Sequence, residues 1–129
     1  MMTQPWPQIV ARYQDYKGNE RSIRALETLT RQIDQSPLAK GLFAWTAMLD
    51  LCIVQTPVSY PYDGPLLRIS PIGESQIEFR YLDTVRKDRQ WHRTVGADHV
   101  LTRLIEFLDQ LRWFPADVLE SLGRTNKSL

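Results

Sequence analysis

The stretch that decides the fold is LLRISPIGESQIEFRYL, residues 66–82. Apolar side chains recur at every second position in both halves of it, at Leu67, Ile69, Ile77, Phe79 and Tyr81. Because successive side chains of a β-strand point to opposite faces, each set lies on one face of a strand. The polar residues between them predict a second face that meets water, as in an antiparallel sheet covered on one side only. Residues 71–75 contain the proline and glycine of a turn, so we predict a β-hairpin.

The register of this hairpin follows from the length of the turn. A turn over residues 71–75 places Ser70 opposite Gln76 and therefore Ile69 beside Ile77. Arg68 then faces Glu78, which pairs opposite charges on the solvent side. A slip of one residue would bury charged side chains, so we expect the register to be strongly specified.

A helix is predicted downstream, because apolar residues recur at intervals of three and four. They are Val100, Leu101, Leu104, Ile105, Leu108 and Leu111. A sheet with one apolar face and a helix with one apolar stripe each need a cover. We therefore expect Ile69, Ile77 and Phe79 to lie beneath Leu104 and Leu108.

The two ends of the chain carry further helical patterns. An apolar line from Ile9 to Tyr16 predicts a first helix that ends at Gly18, and a second helix is stopped by Pro37. Pro115 begins a short C-terminal helix that ends before Gly123. The whole is an α+β fold in a single domain, residues 1–129, with a sheet of three or four antiparallel strands. We expect residues 1–4 and 124–129 to be flexible.

Residues 42–55 can form either a buried strand or a buried helix. Their apolar side chains keep a period of two, which favours a strand, but the length exceeds that of an ordinary strand. We prefer a strand that is broken or bulged near Met48 to Asp50, and a helix over 42–49 stays open.

A loop is predicted before the central hairpin and a further strand after it. Residues 57–65 hold three prolines and predict an ordered loop, in which the bond between Tyr60 and Pro61 is a candidate for the cis form. Residues 89–95 predict a third antiparallel strand, exposed on at least one side and ended by Gly96.

Composition excludes several classes of protein. Sixteen Lys and Arg residues against fifteen Asp and Glu give a net charge of +1, so there is no bulk attraction for nucleic acid. The single cysteine, Cys52, lies in an apolar run and indicates a reducing, cytoplasmic setting. No stretch approaches the roughly 20 apolar residues of a membrane span, so we expect no membrane contact.

Two surfaces are candidate binding sites. One is the run of basic and aromatic residues that contains Arg86, Arg89, Trp91, His92 and Arg93. Arginine offers a planar fork of donors and tryptophan a flat stacking surface, which suit a phosphate, a carboxylate or an acidic partner. The alternative is a protective role, since charged side chains on an edge strand block unwanted pairing. The other surface is the loop with Tyr60 and Tyr62, whose rings either contact a partner or pack over the end of the sheet.

Catalytic chemistry has little support in the sequence. His92 and His99 lie seven residues apart, without the close ligand pairs of a zinc site. A cysteine between Leu51 and Ile53 is more typical of a core than of a nucleophile. We therefore predict no catalytic residues, no metal and no cofactor.

The leading hypothesis is a small non-catalytic protein that binds another protein or a second copy of itself as a homodimer. The order of helices and strands loosely resembles that of small bacterial secretion chaperones and toxin-neutralising immunity proteins, a resemblance that implies an adaptor, chaperone-like or inhibitor role. The alternative is a small-ligand or enzymatic domain with a pocket between the 60–62 loop and the 89–93 strand. Nucleic-acid binding comes third.

Overall fold

The computed structural model describes the backbone of residues 2–127 and the side chains of residues 2–122. Two N-terminal helices are followed by a five-stranded sheet and two further helices. The helices are α1 (Trp6–Gln14), α2 (Arg21–Asp34), α3 (Val100–Leu111) and α4 (Ala116–Lys127). The strands are β1 (Phe43–Ala47), β2 (Asp50–Val54), β3 (Leu66–Ile72), β4 (Gln76–Leu82) and β5 (Trp91–Gly96).

The sheet is antiparallel throughout, and its strands are neighbours in chain order from β1 to β5. The α+β class is confirmed, although the sheet has five strands where we predict three or four. The alternating pattern of β3 and β4 is also confirmed, because all five of its apolar side chains are buried: Leu67, Ile69, Ile77, Phe79 and Tyr81.

The additional strand comes from residues 42–55. They form a hairpin in which Ala47 pairs with Asp50, so that Met48 and Leu49 make a two-residue turn between β1 and β2. The preference for an extended chain broken near Met48 is therefore confirmed. Met48 has a φ of 56°, which matches a turn that favours glycine as its first central residue.

The predicted register of the central hairpin is wrong by two residues. Ile69 pairs with Phe79 and Leu67 with Tyr81, because β3 continues through Pro71 to Ile72 and the turn is only three residues long. Pro71 is tolerated since its nitrogen faces away from β4, at a point beyond the start of β2. A shift of two preserves the faces, which is why the burial pattern survives the error.

Three helices cover the apolar face of the sheet. Helix α1 lies against β1, α2 against β3 and β4, and α3 against β5. Ile69, Ile77 and Phe79 share one buried cluster with Leu104 and Leu108, as predicted, and the rings of Phe79 and Phe107 are 4.9 Å apart. The long helix α3 nevertheless shares this face with α2. Ser22 fixes the start of α2, since its hydroxyl donates to the carbonyl of Gly73 at 2.7 Å.

The ends of the chain differ from expectation. Helix α1 ends at Gln14, before Gly18, and α4 continues through Gly123 to Lys127. Residues 124–127 are therefore helical where we predict a flexible tail, and residues 128 and 129 lie outside the described residues. Gln4 donates its backbone N–H to the carbonyl of Ala44 on β1 at 2.8 Å, and Met2 donates to that of Val58 in the loop after β2 at 2.9 Å, so residues 2–4 are held against β1 and this loop. Residue 1 lies outside the described part.

Glycine at position 48 should stabilise the first hairpin. A side chain in the left-handed region costs about 1 kcal/mol or more, and glycine removes that cost at the expense of some chain entropy. We expect Met48→Gly to raise the free energy of unfolding by about 0.5 kcal/mol, as measured by urea denaturation. Met48→Ala is the control, because it keeps the Cβ atom and should give no gain. A loss of stability in Met48→Gly alone would contradict the turn geometry.

The two faces of β4 should respond differently to truncation. Phe79 is fully buried, whereas Gln76 is exposed on the opposite face of the same strand. We expect Phe79→Ala to lower the free energy of unfolding by about 3–5 kcal/mol, because it leaves a cavity beside Phe107. Gln76→Ala should change it by less than about 0.5 kcal/mol. Thermal unfolding of the two variants measures the difference, and similar losses would refute the assignment of faces.

Candidate functional site

Two loops meet at one end of the sheet. Leu66 at the start of β3 pairs with Leu82 at the end of β4, so the chain entering β3 and the chain leaving β4 lie side by side. The hydroxyl of Thr84 donates to the carbonyl oxygen of Asp63 and joins the two loops. We call the exposed part of residues 57–65 and 83–90 the loop surface.

The two tyrosines of the first loop have different environments. The peptide bond between Tyr60 and Pro61 is cis, as the sequence allowed. Tyr62 packs edge-on against Trp45 with the ring centroids 6.4 Å apart, and its hydroxyl donates to the carbonyl of Pro65 at 2.7 Å. Burial is the main cause that raises the pKa of Tyr62. Tyr60 instead has 85% of its surface exposed, so of the two rings only this one is mostly in contact with solvent.

The second loop is shaped by a buried carboxylate. Asp83 is only 6% exposed, and its Oδ1 accepts the backbone N–H groups of Val85 at 3.1 Å and Arg86 at 3.0 Å. The side-chain oxygen of Gln90 accepts the N–H of Asp83 at 3.0 Å and closes the loop. Aspartate commonly bonds its own following backbone in this way. The turn leaves Val85 82% exposed at its tip.

The arginines of this region are not equivalent. Arg86 holds the carboxylate of Asp88 through two contacts of 3.3 Å, in the exposed part of the loop. This hydrogen bond raises the pKa of Arg86 and lowers that of Asp88. Lys87 and Arg89 are exposed beside the pair. The loop surface therefore exposes apolar side chains at Tyr60 and Val85, together with three basic side chains and the acids Asp63 and Asp88.

Strand β5 carries the remaining predicted residues. The Trp91 ring lies 4.8 Å from that of Phe107 and 6.1 Å from that of Tyr81, so the indole closes the edge of the core. The guanidinium carbon of Arg93 lies 5.5 Å above Trp91, a cation–π contact. His92 is exposed on the opposite face of the strand.

None of these residues lines either of the two cavities found among the described residues. His92 and Arg93 project from opposite faces of β5, and both are exposed. One described cavity, of about 350 Å³, lies between α2 and α3, and another, of about 520 Å³, lies at the far end of the sheet beside Met48. Among the described residues, no three metal-ligating side chains cluster, and no helix is both long and apolar enough to cross a bilayer.

Sequence reasoning overlooked two features. One is the exposure of Val85. It is the one apolar residue in the polar connection of residues 84–88, and this pattern could have indicated an exposed apolar side chain. On the open face of the sheet, Asp50 bridges two arginines on neighbouring strands, at 2.7 Å from Arg68 and 3.8 Å from Arg80. Arg80 also contacts Glu78 at 3.2 Å. Arg68 and Arg80 are direct cross-strand partners, so Asp50 offsets a like-charge pair that the predicted register did not contain.

Cys52 should be unreactive in the folded protein. It is buried, and burial is the main cause that raises the pKa of its thiol to about 11. A raised pKa means that the thiol stays protonated at pH 8, where an ordinary thiol is partly ionised. We expect an aromatic disulfide reagent at pH 8 to modify the native chain at least about 100-fold more slowly than the chain in denaturant. Equal rates would show that Cys52 is accessible and ionised.

Comparison with known proteins identifies no relative. No protein-family model, no curated protein and no solved structure matches the chain. No family assignment follows for this chain.

Proposed function

We propose that the chain works by binding another protein through the loop surface. The observation that carries the proposal is the joint exposure of Tyr60 and Val85, 85% and 82% respectively, on two loops that hydrogen-bond to each other. Isolated apolar side chains on a surface are common, but two large ones on adjoining loop tips form a patch whose burial is favourable. Side chains that are this exposed suit a protein surface better than a small molecule, which needs a concavity.

The loops that present this patch are already ordered. Asp83 and Gln90 close one loop, and the contact of Tyr62 with Trp45 holds the other. A preformed surface loses less conformational entropy on binding than a flexible one. Tyrosine and arginine are also the residue types that most often dominate the energy of protein interfaces.

The charges of the patch favour a different protein over a second copy. Arg86, Lys87 and Arg89 are exposed close to Val85 in sequence, and Asp63 and Asp88 are the exposed acids, so the loop surface carries three basic side chains against two acidic ones. Two copies placed face to face would bring like charges together, whereas an acidic partner would complement them. We therefore propose an adaptor, chaperone-like or inhibitor role, and the geometry gives no specific support to an enzymatic or nucleic-acid-binding role.

Photo-crosslinking from the loop surface tests this proposal. We expect benzoylphenylalanine at position 60 to yield one discrete adduct with another protein in the cells that encode the chain. Val85→Ser combined with Arg89→Ser should reduce the yield at least about tenfold, because both the apolar contact and a cation are lost. Mass spectrometry of the adduct identifies the partner and its contacting segment.

Position 48 provides the matched control. Met48 is 88% exposed and apolar, but it lies at the opposite end of the sheet. The same crosslinker there should not capture the partner. The proposal fails if position 60 captures nothing specific, if positions 48 and 60 capture the same proteins, or if the adduct joins two copies of this chain.

A further inference from the structure

Among the described residues, the outer edge of β5 has no neighbouring strand. Ala97 donates its N–H to the carbonyl of Ser75 at 2.9 Å, which marks these two residues as a hydrogen-bonded pair in the continuing register of β4 and β5. Because antiparallel pairs alternate, Trp91, Arg93 and Val95 direct their backbone groups toward β4. His92 and Thr94 therefore direct theirs outward.

The two edges of the sheet differ in how they end. At β1, Gln4 forms a bridge with Ala44 and so occupies part of that edge. Within residues 2–127, β5 is the edge strand on the other side of the sheet. His92, Arg93 and Thr94 on this strand are all exposed. An exposed edge of this kind is a template for pairing with another extended segment.

Arg93 partly closes this edge. Its Nη1 donates to the carbonyl oxygen of His92 at 2.8 Å, which is one of the outward acceptors. The stack on Trp91 holds the guanidinium in that position. A side chain in this place competes with an incoming strand, but a carboxylate on the incoming strand would draw the guanidinium to itself and free the carbonyl.

We propose that β5 accepts an extended acidic segment of another protein as a sixth strand of the sheet. Main-chain bonds to His92 and Thr94 would provide the pairing, and Arg93 would bind a carboxylate of the segment. The charge of this region supports an acidic occupant: residues 84–96 hold four basic side chains against one acidic, a net charge of +3 in a chain of +1. A second copy would bring another region of net charge +3 to the same edge.

This proposal shares the basic side chains of residues 86–89 with the loop surface, but strand addition requires neither Tyr60 nor Val85, so the two proposals can fail separately. Its probe is a blocked octapeptide of alternating threonine and glutamate, labelled for fluorescence anisotropy, with the threonine and lysine counterpart as the charge control. We expect saturable binding of the glutamate peptide below about 1 mM, the range of weak peptide complexes, and none of the lysine peptide.

Thr94→Pro is the decisive variant. It removes the outward N–H of Thr94 without changing charge, and the bonds between β4 and β5 remain, since this nitrogen does not face β4. We expect Thr94→Pro to weaken binding at least tenfold, and Thr94→Ala, which keeps the N–H, to stay within twofold of the parent. Circular dichroism and thermal unfolding confirm that both variants fold. Tyr60→Ser should bind the peptide like the parent.

Amide hydrogen exchange measures the same pairing of β5 with the peptide in the protein without substitutions. The N–H groups of His92 and Thr94 should exchange with deuterium faster than those of Arg93 and Val95, and the glutamate peptide should slow both. Equal loss of binding in Thr94→Ala and Thr94→Pro would overturn strand addition. So would undiminished binding in a folded Thr94→Pro, unchanged exchange at His92 and Thr94, no saturation by about 1 mM, or dimerisation of the chain through β5.

Discussion

The structure depends on the need to cover one apolar face of a central hairpin. Ile69 and Phe79 pair across β3 and β4, and both are fully buried. A hairpin alone leaves such a face in water, and two strands are seldom stable without a layer above them. Helices α1, α2 and α3 supply that layer on the same side, so the opposite face of the sheet is left to be closed by other means.

The open face explains where the loop surface lies. Alternation places Trp45, Cys52 and Val54 on this face, yet Cys52 and Val54 are buried. Tyr62 packs on Trp45, so the loop that links β2 to β3 contributes cover that no helix provides. Farther along the sheet the cover ends, and Asp50 with its two arginines meets solvent. The exposed tips of the loops are thus a consequence of one-sided helix packing: Tyr62 is needed as cover, and its neighbour Tyr60 is not.

Sequence reasoning could recover the faces of the sheet but not its register. A period of two is unchanged by a shift of two residues, so burial alone could not separate the pairing of Ile69 with Ile77 from that with Phe79. Pro71 suggested an early turn, and only the position where β2 begins explains why a proline is tolerated there. The break at Met48 was visible as excess length. The sequence does not distinguish Tyr60 from Tyr62. Their exposure differs because Tyr62 contacts Trp45, a residue on β1.

Strand β5 shows how protection and recognition can reside in the same residues. Charged side chains at an edge disfavour pairing with neutral or basic strands, since they lose hydration or face like charges. The same side chains gain an ion pair when the incoming strand is acidic. The free-energy cost of pairing with neutral or basic segments therefore becomes a preference for acidic ones. Specificity is a difference of affinities, and it is obtained here by raising the cost of the wrong partner. The cation–π contact of Arg93 with Trp91 strengthens this effect, because it holds the Arg93 side chain against the edge of the core. An acidic segment must therefore attract the Arg93 guanidinium strongly enough to move it from the Trp91 ring. Only then can the backbone of the segment pair with β5.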